Sequence, residues 1–323
     1  MRIGNLEIDS PVRLAPMAGI TNASFRLVAK ECGSELITTE EIDATGLVRH
    51  SDTSEQIAEF LPEERPLAMQ LLGNDADTFV EAAEILQRRG ADIIDINMGC
   101  PVPKITKTGK GSALMRDVVG TAQILRALRR VCEVPLTIKI RGGWDNEHLN
   151  AVEVAQMAES EGVDAITVHP RTRSQRFSGR APWHIIRDVV EAVDIPITGN
   201  GDVTSYSEAQ RMMNETGCVS VMIGRGAMGQ PWVFNAEYEN WSEDRQREYR
   251  EQVIMRHMDL ILSFFPEGRY RLLQMQRHLS YYARGMPSAR ECRQVLFTQC
   301  NTPEESLATF RRYWAAALVP TAG

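Results

Sequence analysis

Short apolar, β-branched runs alternate with longer amphipathic stretches along most of the chain. The runs predict strands at 11–17, 35–41, 66–72, 91–97, 135–141, 163–169, 195–200 and 218–224. Between them, apolar residues recur at helical spacing, most clearly at 75–89, 117–131, 147–161 and 204–216. Gly90, Gly162 and Gly217 stand where C-caps would end three of these helices. Strand–helix alternation predicts a parallel sheet, and eight such units over roughly 230 residues fit a (β/α)8 barrel. A doubly wound sheet is the rival. It would place a Gly-rich phosphate loop after the first strand, where this chain has Pro16-Met17-Ala18-Gly19. Past residue 240 the strand pattern stops. Helical patterns at 244–265, 269–285 and 303–318 take over. The fold expected is therefore α/β: a TIM barrel over 1–240, followed by an all-helical domain over 241–323.

Composition narrows this picture. The chain has 323 residues, 43% of them hydrophobic and 24% charged, enough to bury a core without disulfides or metals. Its six cysteines are scattered with no C-x-x-C pair, so neither a zinc site nor a redox dithiol is expected. No apolar run approaches the roughly 18 residues of a membrane span. The start, Met1-Arg2-Ile3-Gly4, lacks the apolar stretch of a signal peptide. A cytoplasmic protein without a membrane partner is expected, and a monomer.

A formal net charge of −7 argues against nonspecific nucleic-acid binding. The charge is unevenly spread, however. Residues 104–116 hold Lys104, Lys107, Lys110 and Arg116 and no acid, and 171–180 hold Arg171, Arg173, Arg176 and Arg180 and no acid. Residues 269–293 carry Arg269, Arg271, Arg277, Arg284, Arg290 and Arg293 against Glu291 alone, interleaved with Tyr270, His278, Tyr281 and Tyr282. One basic run is usually a solvated helix face. Three in an acidic chain point to a polyanionic partner, because Arg pairs phosphates and aromatic rings stack on unpaired bases.

In a barrel, chemistry sits at the C-terminal ends of the strands. Those ends turn polar here: Gln70, Asn97 with Cys100, Lys139 with Arg141, His169, Asn200-Gly201-Asp202, and Gly224-Arg225. Singly, each has a structural reading. Gln70 could cap a loop, and a histidine after an apolar strand is more often structural than catalytic. Their recurrence at equivalent places is the stronger signal. Strand alternation aims Thr137, Lys139 and Arg141 to one side, and an inward lysine needs a partner or a task. A lone cysteine is usually a small buried hydrophobe. Cys100 instead lies in a Gly-Cys-Pro turn beside a lysine-rich loop, the accessible, electropositive setting of a reactive thiol. The fragment Thr108-Gly109-Lys110-Gly111-Ser112 is no P-loop, since Gly111 stands where Ser or Thr must follow the lysine. Asn200-Gly201-Asp202 and Gly224-Arg225-Gly226 are better candidates for a phosphate cradle.

Taken together, APMAGIT (15–21), DINMGCP (95–101), GSALM (111–115), LTIKIR (136–141), TVHPRTR (167–173), GNGDV (199–203), MIGRGAMGQPWVF (222–234) and RHLSYY (277–282) resemble the bacterial tRNA-dihydrouridine synthases, most closely their B subgroup. The resemblance spans nearly the whole chain. It implies a flavin-binding catalytic barrel with bound FMN, NADPH as transient reductant, and tRNA as the substrate held by the helical domain. The reaction implied is reduction of a uridine to 5,6-dihydrouridine, expected in the D-loop: hydride to C6, and a proton from Cys100 to C5. Pro16, Met17, Ala18, Gln70, Lys139 and His169 match flavin-contacting positions. Asn200, Gly201, Asp202, Gly224 and Arg225 match the phosphate end. Asn97 matches a uracil-holding residue. Lys104, Arg141, Arg171, Arg173, Arg277 and Arg284 fall on the substrate side. Pro170 departs from the commoner glycine and removes a backbone donor. Two rivals stay open: a flavoenzyme acting on a small pyrimidine, which would not need the Arg-rich tail, and an RNA-binding protein on a barrel without redox chemistry.

Overall fold

A computed structural model describes residues 1–317. The chain forms two compact units, Met1–Gly226 and Ala227–Gly323. The division falls ahead of residue 240, where the strand pattern ends. The segment between is built of short 3-10 turns, and its Trp232 packs against Tyr238 and Tyr282, inside the second unit.

The first unit opens with a hairpin, β1 (Arg2–Ile3) and β2 (Leu6–Glu7). The barrel strands follow: β3 (Val12–Leu14), β4 (Ile37–Thr38), β5 (Ile42–Asp43), β6 (Leu67–Leu72), β7 (Ile93–Met98), β8 (Leu136–Arg141), β9 (Ala165–His169), β10 (Ile197–Asn200) and β11 (Ser220–Ile223). Every barrel pairing is parallel, in the order β3-β11-β10-β9-β8-β7-β6-β4, with β5 also on β6. At the remaining seam Leu14 donates to the Ser34 hydroxyl at 2.9 Å. The result is a nearly closed eight-position barrel, as the alternation predicts.

The helices of this unit are α1 (Ala23–Glu31), α2 (Ala44–Val48), α3 (Asp52–Ala58), α4 (Ala76–Arg89), α5 (Pro103–Thr106), α6 (Val118–Val131), α7 (Ala151–Ser160), α8 (His184–Val190) and α9 (Tyr206–Thr216). α4 shows why they form. The Asp75 carboxylate caps its start by accepting from Thr78 at 2.9 Å, Phe79, Ala82, Ala83 and Leu86 make one buried stripe, and Gly90 ends it in the left-handed region. α7 starts later than its amphipathic pattern suggests, because Asp145 turns the chain by accepting from Glu147 and His148.

Two features fix which end of the barrel is chemical. The hairpin plugs the N-terminal end: Ile3 and Ile8 pack with Leu36, Ala68, Ile93 and Ala165 in an apolar cluster. The lumen above it is polar. Arg13 donates to Thr167 and Thr198, while Asp95 accepts from Gln70 and Thr137 at 2.7 and 2.6 Å. Burial lowers Arg13 to about 10 and raises Asp95, each partly offset by the other's charge.

Outside the barrel wall, Arg26 on α1 is ion-paired with Glu64, and both side chains are almost wholly buried. Glu64→Ala should strand that guanidinium and destabilise the unit by about 3 kcal/mol. A urea midpoint unchanged from wild type would show that the bonds of Arg26 to the Thr21 and Glu59 carbonyls suffice.

The second unit contains α10 (Glu243–Phe264), α11 (Arg269–Tyr282), α12 (Ala289–Thr298) and α13 (Pro303–Ala317). Three agree with the predicted patterns; residue 318, the predicted end of the last, lies outside the described residues. α12 is additional: it buries only Cys292 and Leu296, too few to stand out. The core unites Ile254, Met258, Ile261, Met275, Leu279 and Phe310. Among the described residues no helix is long and apolar enough to cross a membrane.

Candidate active site

The strand ends converge at the C-terminal mouth of the barrel. Cys100 follows β7 and is gripped through its backbone. Asn97 Oδ1 accepts from the amides of Gly99 and Cys100 at 3.0 and 2.9 Å. The Cys100 carbonyl accepts from the amide and hydroxyl of Ser112 at 3.1 and 3.0 Å. Gly111, at φ +63°, closes the grip: a Cβ there would lie 2.9 Å from the Cys100 carbonyl oxygen. The segment that imitates a P-loop is thus a bracket for the cysteine. Burial and the nearby Glu41 push the Cys100 thiol up to about 11, so it is protonated at neutral pH.

Asn97 also donates to Gln70 Oε1 at 2.8 Å and to Glu41 Oε2 at 2.9 Å. Both its amide protons and its carbonyl are therefore engaged within the chain. Gln70 passes the network inward to Asp95.

On the neighbouring strand β8, Lys139, the register partner of Asn97, donates to Asn200 Oδ1 at 3.2 Å, and Asn200 donates to the Met222 carbonyl at 2.6 Å. Burial, then repulsion from Arg141, lowers Lys139 to about 8. His169 is held well below its usual range by burial and by the cations Lys139, Arg141, Arg171 and Arg225. It is neutral, and with Nε2 facing an Arg171 donor at 3.4 Å its proton belongs on Nδ1.

Two expected substrate-side groups, Arg171 and Arg141, are also anchored within the barrel mouth. Arg171 is 1% exposed. It donates to the Ser178 and Gly179 carbonyls and to Asp202 at 2.6 Å, pinning the 171–180 loop. Arg141, also buried, bonds the carbonyls of Gly99, Thr172 and Arg176 and so ties that loop to the cysteine turn. Arg173 is half-buried over the Trp144 ring, 4.6 Å from its centroid, and donates to the Thr106 hydroxyl. Lys110 is ion-paired with Asp43 at 2.5 Å. Lys104, Lys107, Arg176 and Arg180 remain exposed.

At the phosphate-type end, Asp202 accepts from Arg171 and from Arg225 at 3.4 Å. Gly201 has φ +129°, and a Cβ there would stand 3.2 Å from the His169 ring. Gly224 follows β11 beside Ala15 and Met17, and Pro16 and Ala18 continue that rim. The donor set suits a flat, polar, anionic cofactor. It offers a cation partnered, among the described residues, by an amide, a neutral imidazole, and a glycine turn next to two guanidiniums that outnumber the carboxylate between them.

Two site residues escape the sequence reading. Phe177 is about half exposed, with its ring flanked by the guanidiniums of Arg225 at 4.7 Å and Arg141 at 5.7 Å. A lone aromatic in a basic loop was the available signal. Glu41 is the other; the Thr-Thr-Glu-Glu run at the end of the second predicted strand is polar, like the other strand ends.

In the second unit, Arg277 lies half-buried and Arg284 is exposed, 4.7 Å over the Tyr281 ring. Arg269, Arg290 and Arg293 are exposed as well. His278 and Tyr282 are not surface residues. Both are buried and make edge-on ring contacts with His257, which is 2.9 Å from the Tyr282 hydroxyl.

The family model described as dihydrouridine synthase (Dus) matches residues 13–318. A protein of Rickettsia bellii named probable tRNA-dihydrouridine synthase is 35% identical over 299 residues, 91% of each chain. One of Xanthomonas campestris named tRNA-dihydrouridine synthase B is 35% identical over 325 residues, covering 98% of this chain and 97% of its own. Among solved structures, a 2-naphthoyl-CoA reductase complex superposes with a TM-score of 0.56 at 11% identity, over 72% of this chain and 50% of the reductase, a likeness of fold alone.

Proposed function

Because the chain belongs to the dihydrouridine synthase family, we propose that it is a tRNA-dihydrouridine synthase that holds FMN in its barrel, takes its reducing equivalents from NADPH and reduces a D-loop uridine. The observation that carries this reading is the mouth of the barrel, where a backbone-gripped protonated thiol faces a lysine whose one hydrogen-bond partner is an amide.

The chemistry a bound FMN supplies is hydride transfer, from NADPH and on to C6 of the uracil ring. The rest falls to this chain. Lys139 supplies positive charge for the pyrimidine edge of the isoalloxazine, with Asn200 aiming its ammonium. Gln70, His169, Pro16, Met17 and Ala18 border the same space. Arg225, Gly201, Asp202 and Gly224 would hold the phosphate. Cys100 gives its Sγ proton to C5 as the base is reduced. A target uridine must leave its stack to reach a barrel mouth, at a cost of a few kcal/mol that is smallest in a loop. Lys104, Lys107 and the exposed arginines meet the backbone of that RNA.

The test is spectroscopic. The purified protein should be yellow, bleach with NADPH under anaerobic conditions, and reoxidise on adding unmodified tRNA but not on adding uridine. Reoxidation by a free pyrimidine would favour a small-molecule reductase. A colourless protein that FMN cannot reconstitute would overturn the reading.

Charge reversal at Arg277 and Arg284 bears on the helical unit. The double variant should bind tRNA about tenfold more weakly, with a shallower salt dependence, and keep its rate of flavin reduction. An unchanged tRNA Kd would remove this helix face from the interface.

A further inference from the structure

Glu41 is an acidic side chain at the mouth to which the reaction above gives no task. It sits where the second predicted strand breaks. Thr39 leaves the ladder: its amide donates to the Ala68 carbonyl at 3.0 Å, while its hydroxyl accepts from the Gln70 amide at 3.0 Å. The chain resumes as β5 only at Ile42. The break turns Glu41, half-buried, over the cysteine turn. Its Oε2 is fixed by Asn97, and its Oε1 lies 3.9 Å from Cys100 Sγ, within reach of a thiol donor. One asparagine therefore positions both partners, Cys100 through its backbone and Glu41 through its carboxylate.

We propose that Glu41 is a positioning residue for the reaction, holding Cys100 as the protonated thiol and returning a proton to its sulfur after each turnover. This rests on the reading of Cys100 as the acid. The proton balance is closed. The S–H bond breaks as the C5–H bond forms, leaving a thiolate. Glu41, ionised at rest, takes a proton from water once the thiolate has formed beside it, and that O–H bond breaks as S–H is restored, which returns the resting carboxylate. The direction follows from basicity: a thiolate whose conjugate acid sits near 11 takes a proton from a carboxyl group. Burial, with Glu40 and Asp43 beside it, raises Glu41 and favours its loading, against the opposing bonds from Cys100 and Asn97. Asp43 is itself ion-paired with Lys110. From β8, Arg141 acts on the thiol in the opposite sense, and Lys139 faces it as a second cation.

Glu41→Gln tests this with a readout independent of turnover. Iodoacetamide labelling of Cys100 in the flavin-loaded protein is followed against pH by peptide mass. The labelling midpoint should fall by about one pH unit, so that labelling below the midpoint is about tenfold faster than in wild type. The alkaline limb of tRNA-dependent reoxidation should move down with it, while NADPH-driven bleaching is unchanged. Glu41→Asp, which keeps the charge but withdraws it, should fall between the two. Superimposable labelling profiles for wild type and Glu41→Gln would overturn the proposal even if the enzyme makes dihydrouridine. A wild type that makes none, with the labelling shift intact, would instead overturn the assigned function.

Discussion

Cys100→Ala should make dihydrouridine at least a hundredfold more slowly than wild type, while binding flavin and bleaching with NADPH at the normal rate. The separation is expected from how the cysteine is held. Its turn is fixed by backbone bonds to Asn97 and Ser112 and by the close approach of Gly111, none of which involves the sulfur. The substitution removes a proton and little else. Loss of a positioned general acid costs 10²–10⁴ in rate, which sets the size of the effect. Burial and Glu41 hold the thiol near 11, so the wild-type rate should be flat through neutral pH and fall only as the pH climbs toward that value. Full product formation by Cys100→Ala, measured on unmodified tRNA, would remove Cys100 from the mechanism.

What the sequence foretells and what it hides follow from one distinction. Features set by local pattern are legible. Alternating β-branched runs and amphipathic stretches predict the barrel, and Gly90 and Gly217 end their helices in the left-handed region as expected. Features set by a distant partner are hidden. The predicted strand over 35–41 shortens to β4, with β5 starting just past its end, where the Thr39 hydroxyl bonds to β6, a contact no periodicity records. The hairpin plug is too short to show a period. The internal bonds of Arg141 and Arg171 are hidden too, because a charge in a sequence does not reveal its direction. Most of their partners are backbone carbonyls, of the loop that carries the other arginines and of Gly99, and carbonyls have no sequence signature. His278 and Tyr282 mislead in the same way, since helical spacing turns them into the core of their unit.

Lys139→Met should weaken flavin binding at least tenfold and slow flavin reduction by about 10²-fold, yet make the cofactor-free protein more stable. The two effects share a cause. Lys139 makes no ion pair among the described residues, and its amide partner Asn200 stands in for a counter-ion. Burial and Arg141 lower it to about 8 against an ordinary 10.5, despite the opposing pull of Asp95 and Cys100. At neutral pH the ammonium is charged and poorly compensated, an arrangement that an anionic ligand would relieve. The sign of the linkage is fixed by that depression. Between about 8 and 10.5 the unfolded chain binds the extra proton, so wild-type stability rises with pH across this window. Below about 8 the penalty is constant. At 1.36 kcal/mol per pKa unit, reduced because the side chain reaches the solvent-facing mouth, it is on the order of 1–3 kcal/mol. The Met variant should therefore melt above wild type at pH 7 when both lack cofactor, the gap should close by about pH 10.5, and saturating FMN should reverse the order. Equal FMN affinity and equal rates of bleaching by NADPH would show that the cation serves the barrel rather than the cofactor.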